Sequence, residues 1–453
     1  MTEEQKPSGR THHRFIILAL ITILLALSSG DRATLSIAGP HMSQALGITP
    51  VELGWMFSAF AWAYVLAQIP AGWITDRLGA KQTILVGLIL WSLVTFLMSG
   101  VGWLTYPFLT MLILRFLLGA FESPVGPAAG RIIAAWFPSS ERGIAGAIFN
   151  SAQYVSLVLF TPLMGFLDHR FGWEHIFGVM GVLGFLLALT WAVSYYPPAR
   201  HPKLGAAELD YMRAGGALVD LGAGSPSATE AHGPRWSDLV ELFKSRMLVG
   251  IFLAQYGITS ITWFFVSWFP SYLVKERGLS ILDASLIATI PAIFGFVGGV
   301  VTGVFSDWLL KRSGSLSVAR KTPITIGLVM TVLIIGCNYT NSTFLITALM
   351  SAAFFGKGFG SLGWTVVADT APKEVIGLTG GVFNAIGNTA GIVTPVAIGY
   401  ILATTGSFNG ALVYVGLHGL MAALCYWVIV GRIERLVIRK GVGLIRAAPL
   451  IAE

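Results

Sequence analysis

With 453 residues, 55% of them apolar and only 11% charged, the chain carries more apolar side chain than one water-soluble core can enclose; soluble domains have about 25% charged residues. The net charge of +7 reads as a topology signal rather than as affinity for nucleic acid, because its cations are unevenly distributed along the chain. Two cysteines, Cys337 and Cys425, offer neither a disulfide framework nor a metal cluster.

Runs of about 20 apolar residues read as membrane-spanning helices. Twelve are predicted, over 14–38, 52–73, 82–100, 104–127, 143–166, 174–195, 247–271, 284–306, 322–339, 342–366, 376–401 and 409–430. The fold class is therefore an all-α membrane protein in two six-helix bundles, 14–196 and 247–431. Cytoplasmic segments are expected at 1–13, 197–246 and 432–453. Of the 29 Lys and Arg residues, Arg170, Lys275 and Arg277 fall in outer loops and Arg32, Arg115 and Lys357 within spans, with Arg14 at the cytoplasmic edge of the first. The rest lie in segments that are cytoplasmic if both termini are, as the positive-inside rule expects. A cleavable signal peptide is not expected, since the first apolar stretch is long and carries Asp31 and Arg32.

Ionisable residues inside a bilayer are costly and usually functional. Asp31 and Arg32 in the first span are sequence neighbours, about 100° apart around a helix, so each needs a partner on another helix or a ligand. Tyr64 in the second span adds a hydroxyl and an aromatic face. After that span a short loop is predicted through Gly72, Asp76, Arg77, Gly79 and Lys81, with glycines for a tight turn and an Asp to pair with cations or a helix N-terminus. In the fourth span Arg115 and Glu122 lie two turns apart on one stripe, roughly 10 Å along the axis. The fifth span carries Asn150 and Gln153. Pro197 and Pro198 stop the sixth. Between Ala214 and Gly233 the chain is rich in Gly, Ala and Ser and reads as a linker; short helices are expected near 206–213 and 236–243, and the N-terminal dozen residues read as disordered. A weaker copy of the first loop follows the eighth span: Gly303, Asp307, Lys311, Arg312. The tenth span holds Lys357, with no acid within one turn, and Trp364; Gly356, Gly358 and Gly360 leave room beside Lys357 for a ligand or another helix. The eleventh holds Asn384 and Asn388. Three intramembrane cations face two acids, so an anionic substrate is expected, with the hydroxyl, amide and aromatic groups suited to a polyol. A buried ion-pair lattice is the competing reading.

The two halves repeat one another. Pro138/Pro372, Gly143/Gly377, Gly146/Gly380, Phe149/Phe383, Asn150/Asn384 and Gly165/Gly399 all stand 234 residues apart, with Glu141 and Glu374 close to the same offset. Gly72 and Asp76 precede Gly303 and Asp307 by 231. Duplicated apolar bundles point to a transporter, and the matched loops to a conformational latch. The run Gly358-x-Gly360-x-x-Gly363 has no strand before it, so it is not a nucleotide site. There is no Walker loop for an ATP-driven pump and no nucleophile elbow, and the eight histidines lack metal-ligand spacing. Two rivals remain at this point: a polytopic membrane enzyme, for which no nucleophile–base pair or metal site is found, and a channel, which would need no latch.

The stretches GDRATLSIAG (30–39), FSAFAWAY (57–64), RIIAAWFPSSERG (131–143), FNSAQY (149–154), FFGKGFGSLGW (354–364) and DTAPKEVIGLTGGVFNAIGNTAGIVTP (369–395) carry a family resemblance. With the duplicated plan and the loop Gly72–Lys81, they resemble the major facilitator superfamily. Within it the chain is similar to the anion:cation symporters and most to the bacterial galactarate/glucarate permeases. The resemblance implies uptake of an acidic sugar across the bacterial inner membrane by alternating access. It also implies the proton as coupling ion, with no other cofactor, no metal and a monomer in the bilayer. Aldonate or hexuronate symport is the alternative. By the same resemblance, Asp31 and Glu122 match the protonatable pair and Arg32 and Arg115 its cations, Arg115 being the first choice to grip a substrate carboxylate. Tyr64, Gln153, Trp364 and Asn384 match substrate contacts. Lys357 is expected as the second cation that a diacid needs, where galactonate-type relatives are expected to carry a neutral residue. Between Pro127 and Arg131 this chain has Ala128, Ala129 and Gly130 where small polar residues are expected.

Overall fold

The computed structural model describes residues 12–221, 236–372, 375–439 and 443–446. The N-terminal dozen bar its last residue, the linker from 222 to 235 and the repeat landmark Glu374 therefore lie outside the described residues. Among the described residues, eleven helical stretches are long and apolar enough to cross a membrane, and a twelfth is bent by 53° between Gln68 and Pro70. The bend follows from proline, which lacks the N–H for the helical ladder and clashes with the turn before it.

In chain order the helices are α1 (His13–Leu46), α2 (Pro50–Leu78), α3 (Ala80–Met98), α4 (Pro107–Glu122), α5 (Val125–Trp136), α6 (Arg142–Phe171), α7 (Glu174–Ser194), α8 (Ala206–Ala214), α9 (Trp236–Lys244), α10 (Arg246–Trp263), α11 (Phe269–Lys275), α12 (Ile281–Ser313), α13 (Leu316–Met330), α14 (Thr343–Gly358), α15 (Leu362–Thr370), α16 (Ile376–Thr405) and α17 (Asn409–Leu424). The short helices expected in the central segment are α8 and α9. A two-stranded hairpin, β1 (Leu436–Arg439) with β2 (Gly443–Arg446), follows the last span and was not expected.

Two expectations need correction. The predicted loop Gly72–Lys81 is mostly helix: α2 continues to Leu78, and Gly79 alone separates it from α3, with φ +79. That left-handed conformation suits glycine. Likewise Gly303, Asp307, Lys311 and Arg312 all lie within α12, which ends only at Gly314, φ +61. Charged residues do not stop a helix that has left the apolar layer; the left-handed glycine does. The second correction concerns continuity. The fourth span is two helices, α4 and α5, broken at Ser123–Pro124, and the tenth is α14 and α15 joined by a tight turn at Phe359–Ser361. Pro124 cannot donate to Ala120, and the Ser123 hydroxyl donates to that carbonyl instead, at 2.8 Å.

The chain forms two compact units, Met1–Ala38 with Trp62–Ala231, and Gly39–Ala61 with His232–Glu453. In the first unit, α8 is tied to the start of α1. The fully buried Glu208 carboxylate accepts the N–H groups of His13 (3.0 Å) and Arg14 (3.3 Å) and the Arg14 guanidinium (3.2 Å). An acid from elsewhere in sequence thus caps the N–H groups that every helix start leaves open. Arg14 also reaches Glu141 (3.1 Å), which accepts from the Tyr211 hydroxyl at 2.6 Å. In the second unit, helices approach through glycine. Gly295 and Gly298 of α12 lie against Gly358 and Phe355 of α14, and Gly327 of α13 against Gly356, so closely that Gly298, Gly327, Gly356 and Gly358 have no room for a β-carbon. The glycines flanking Lys357 therefore admit neighbouring helices: Gly360 likewise meets Ile258 of α10.

Beside this α1–α8 junction, the His201 ring packs against His13 at 5.1 Å and edge-on to Trp136 at 5.4 Å. Burial, and then the neighbouring His13, hold its pKa below the ordinary 6.5. The unfolded chain takes a proton on this histidine below about 6.5 while the fold resists it, so the contribution to stability is full above that pH and lost as pH falls toward the lowered value. The thermal midpoint of the purified protein is expected to fall on mild acidification, and His201→Gln to blunt that fall; an identical pH dependence in the variant would contradict the assignment.

Candidate functional site

In the first unit α1 places Ser28, Asp31 and Arg32 at i, i+3 and i+4, hence on one face. Glu122, the last residue of α4 before the Ser123–Pro124 break, meets that face. Its Oε2 accepts the Ser28 hydroxyl at 2.8 Å and Arg32 Nε at 3.1 Å, while Arg32 Nη2 donates to Ser28 Oγ at 3.3 Å. The three side chains close a ring. Ser28 and Glu122 are fully buried, and the Arg32 side chain keeps 20% of its surface. Tyr64 of α2 lies under the Arg32 guanidinium, 4.9 Å from carbon to ring centre, a cation–π contact.

Asp31 and Arg115 are each only 1% exposed. Among the described residues, neither Asp31 carboxylate oxygen has a hydrogen-bond partner. Arg115 donates to the backbone carbonyls of Asp31 (3.3 Å) and Arg32 (3.5 Å). Five of the sequence candidates, Asp31, Arg32, Tyr64, Arg115 and Glu122, are thus brought together, and the guanidinium with more exposed surface is Arg32. Gln153 and Asn150 lie exposed on α6, where the Asn150 amide donates to Gly146 of its own helix at 2.8 Å.

The second unit holds its own polar group. Trp364 of α15 is half exposed and meets Phe383 edge-on at 4.9 Å. Along α16, the Asn388 amide donates to the Asn384 side-chain oxygen at 3.2 Å. Gln255 and Thr259 of α10, joined at 3.3 Å, lie against Gly387, and Gln255 also against Gly363. Lys357 is partly buried, its ammonium 5.1 Å from the Phe354 ring centre. Sequence reasoning passed over Gln255 and Ser28. A glutamine inside a span was a usable signal; a serine is too common in helices, and only its spacing from Arg32 marks it.

The expected latch residues pair within their own units. Asp76 accepts Arg131 of α5 at 2.7 Å. Arg77 stacks on Trp73, and the Lys81 ammonium stands 3.5 Å from the Tyr196 ring centre. Gly72 lies in α2, where nothing crowds it. In the second unit Asp307 pairs with Arg320 (3.6 Å), which also binds Asp369 (2.8 Å) and the Ser306 hydroxyl (2.7 Å).

Removing Arg32 alone strands the Glu122 carboxylate in an enclosed site, at about 3–5 kcal/mol, whereas removing both charges avoids most of that cost. Thermal unfolding of Arg32→Ala, Glu122→Gln and the double variant is expected to show strong non-additivity, with the double variant more stable than Arg32→Ala. Additive losses would mean that the pair is not energetically coupled.

The profile of the Major Facilitator Superfamily matches residues 21–319. The chain is 51% identical over 441 residues to the probable galactarate/D-glucarate transporter GarP of Escherichia coli K12, covering 97% of this chain and 99% of that relative. It is 49% identical over 438 residues to the probable galactarate/D-glucarate transporter GudP of Bacillus subtilis 168, covering 96% of each. Its backbone is similar to the crystal structure of a D-xylose-proton symporter, with a TM-score of 0.69 at 15% identity over 93% of this chain and 98% of the other. The chain therefore belongs to the Major Facilitator Superfamily and is a membrane transporter, not an enzyme.

Proposed function

We propose that this transporter is a proton-coupled symporter that imports sugar diacids, galactarate or glucarate, across the bacterial inner membrane by alternating access. Relatives at 51% and 49% identity bear the name of galactarate/D-glucarate transporters, and the excess of Lys and Arg in the loops on the side of the termini favours cytoplasmic ends. The observation that carries the reading is the Arg32–Glu122 pair. A guanidinium can hold a carboxylate bidentately, but here its Nε is taken by Glu122 at 3.1 Å. A proton on Glu122 removes that competing charge and frees Arg32 for the substrate. Asp31, buried beside the pair and without a hydrogen-bond donor to its carboxylate among the described residues, is the second proton carrier. Arg115 serves this chemistry by fixing the α1 backbone at Asp31 and Arg32 and by adding positive potential. Tyr64, Gln153, Trp364 and Asn384 are the expected contacts for the polyol, joined by Gln255. The latch pairs around Asp76 and Asp307 stabilise one state of the cycle.

Asp31→Asn or Glu122→Gln is expected to abolish gradient-driven accumulation in proteoliposomes, with at least one of them retaining substrate exchange. Full proton-driven accumulation by the double variant would sink the coupling assignment.

A diacid brings two carboxylates, and an unpaired one left desolvated costs several kcal/mol. Arg32, Arg115 and Lys357 are the cations proposed to meet them. In an uptake panel of galactarate, glucarate, galactonate and glucuronate, the diacids are expected to be preferred. Lys357→Asn should weaken diacid binding tenfold or more, about 1.4 kcal/mol per tenfold, and leave galactonate unaffected or improved. Equal losses for diacids and monoacids would assign Lys357 to structure or to the proton path, and a preference for galactonate or glucuronate in the parent would favour an aldonate or hexuronate carrier.

A further inference from the structure

Ser28 is the one member of the buried ring that carries no charge, and its hydroxyl uses both of its capacities there. It donates to Glu122 Oε2 at 2.8 Å and accepts from Arg32 Nη2 at 3.3 Å. Arg32 Nε reaches the same Glu122 oxygen directly at 3.1 Å, so Oε2 has two donors, whereas Oε1 has no hydrogen-bond partner among the described residues. Ser28 lies one turn before Arg32 on α1 and is fully buried, so no bulk solvent stands by to replace its hydroxyl. The other groups whose charge acts here are Asp31 on α1 and Arg115 on α4, with Tyr64 of α2 against Arg32. Arg115 contributes positive charge, and its guanidinium donates to the backbone carbonyls of Asp31 and Arg32 on α1. Of the groups bonded to the Glu122 carboxylate, Ser28 is therefore the neutral one, and its hydrogen bond favours the charged form.

We propose that Ser28 is a positioning residue for coupling: by bridging Glu122 and Arg32 it holds the carboxylate charged and the guanidinium occupied, and so sets the pH at which Arg32 becomes available to a substrate carboxylate. The proposal rests on the proton-coupled reading above and adds to it a neutral residue bonded to both members of the ion pair. Removing the hydroxyl leaves Glu122 with Arg32 Nε as its remaining donor. Protonation then competes more easily with ion pairing, and Arg32 is released at higher pH.

The test is galactarate binding to the purified full-length chain, titrated across the mildly acidic to mildly alkaline range, for the parent, Ser28→Ala and Ser28→Thr. The Ser28→Ala affinity profile is expected to move to higher pH by about one unit, the scale of one hydrogen bond to a charged group. Ser28→Thr keeps the hydroxyl and should follow the parent. If Ser28→Ala does not fold, Ser28→Cys, similar in size but a weak donor, is expected to shift in the same direction. A Ser28→Ala or Ser28→Cys profile that superimposes on the parent, or a Ser28→Thr profile shifted as far as that of Ser28→Ala, overturns the role of Ser28 alone. A parent profile with no pH dependence overturns the proton-coupled reading and this proposal with it.

Discussion

The carboxylate of Glu122 is fully buried and ion-paired to Arg32 at 3.1 Å, and much of the first unit is arranged around the cost of keeping that charge where water does not reach. Burying an ion pair gives little net stability, but leaving either partner alone is severe. The break of the fourth span directly after Glu122 puts the acid at a helix end, where Ser123 and Pro124 redirect the chain. Arg115 steadies the facing stretch of α1 through its carbonyls. Tyr64 covers the guanidinium face. Such a pair has two low-energy conditions, closed on itself or opened by a proton and an incoming anion, and that bistability is what the proposed cycle uses.

Duplication gave the second unit the same broken span but a different charge. Glu122 ends α4, and Lys357 stands one residue before the end of α14. They are 235 residues apart, one step from the offset of 234 that relates the halves. An acid near the break of one repeat thus has a base near the break of the other. The surroundings differ as well: the α14 segment is locked by glycine-to-carbonyl approaches with α12 and α13, whereas the α4 segment ends in a hydrogen-bonded ionic ring. Close glycine packing fixes helix position at little cost in polar groups, which suits a segment whose lysine must be held at a set depth.

The twelve spans and the two short helices of the central segment were legible because apolar run length and proline or glycine punctuation are local properties. The clustering of Asp31, Arg32, Tyr64, Arg115 and Glu122 was legible only as a list of expensive residues in matching spans. Which of them pair was not, because partner choice depends on helix rotation and on breaks such as Ser123–Pro124. Hydropathy also hid the helical continuation of α2 to Leu78 and of α12 to Ser313, since charged residues outside the apolar layer look like loop. Glu208 is the clearest long-range case: its capping of His13 and Arg14 joins residues nearly 200 positions apart, with no pattern in either segment to announce it. Glycines beside Lys357 were ambiguous in sequence between room for ligand and room for helix; neighbouring carbonyls decide for the helix.

The central claim is that substrate carboxylate and proton open the same ion pair from its two sides, the first at Arg32 and the second at Glu122, so that binding the first draws in the second. Calorimetric titration of galactarate into the purified protein, in two buffers of different ionisation enthalpy at slightly alkaline pH, counts the protons taken up per molecule bound. The account predicts an uptake of about one proton, reciprocal with the tightening of binding on acidification. Tight binding with no proton uptake at any pH would contradict it.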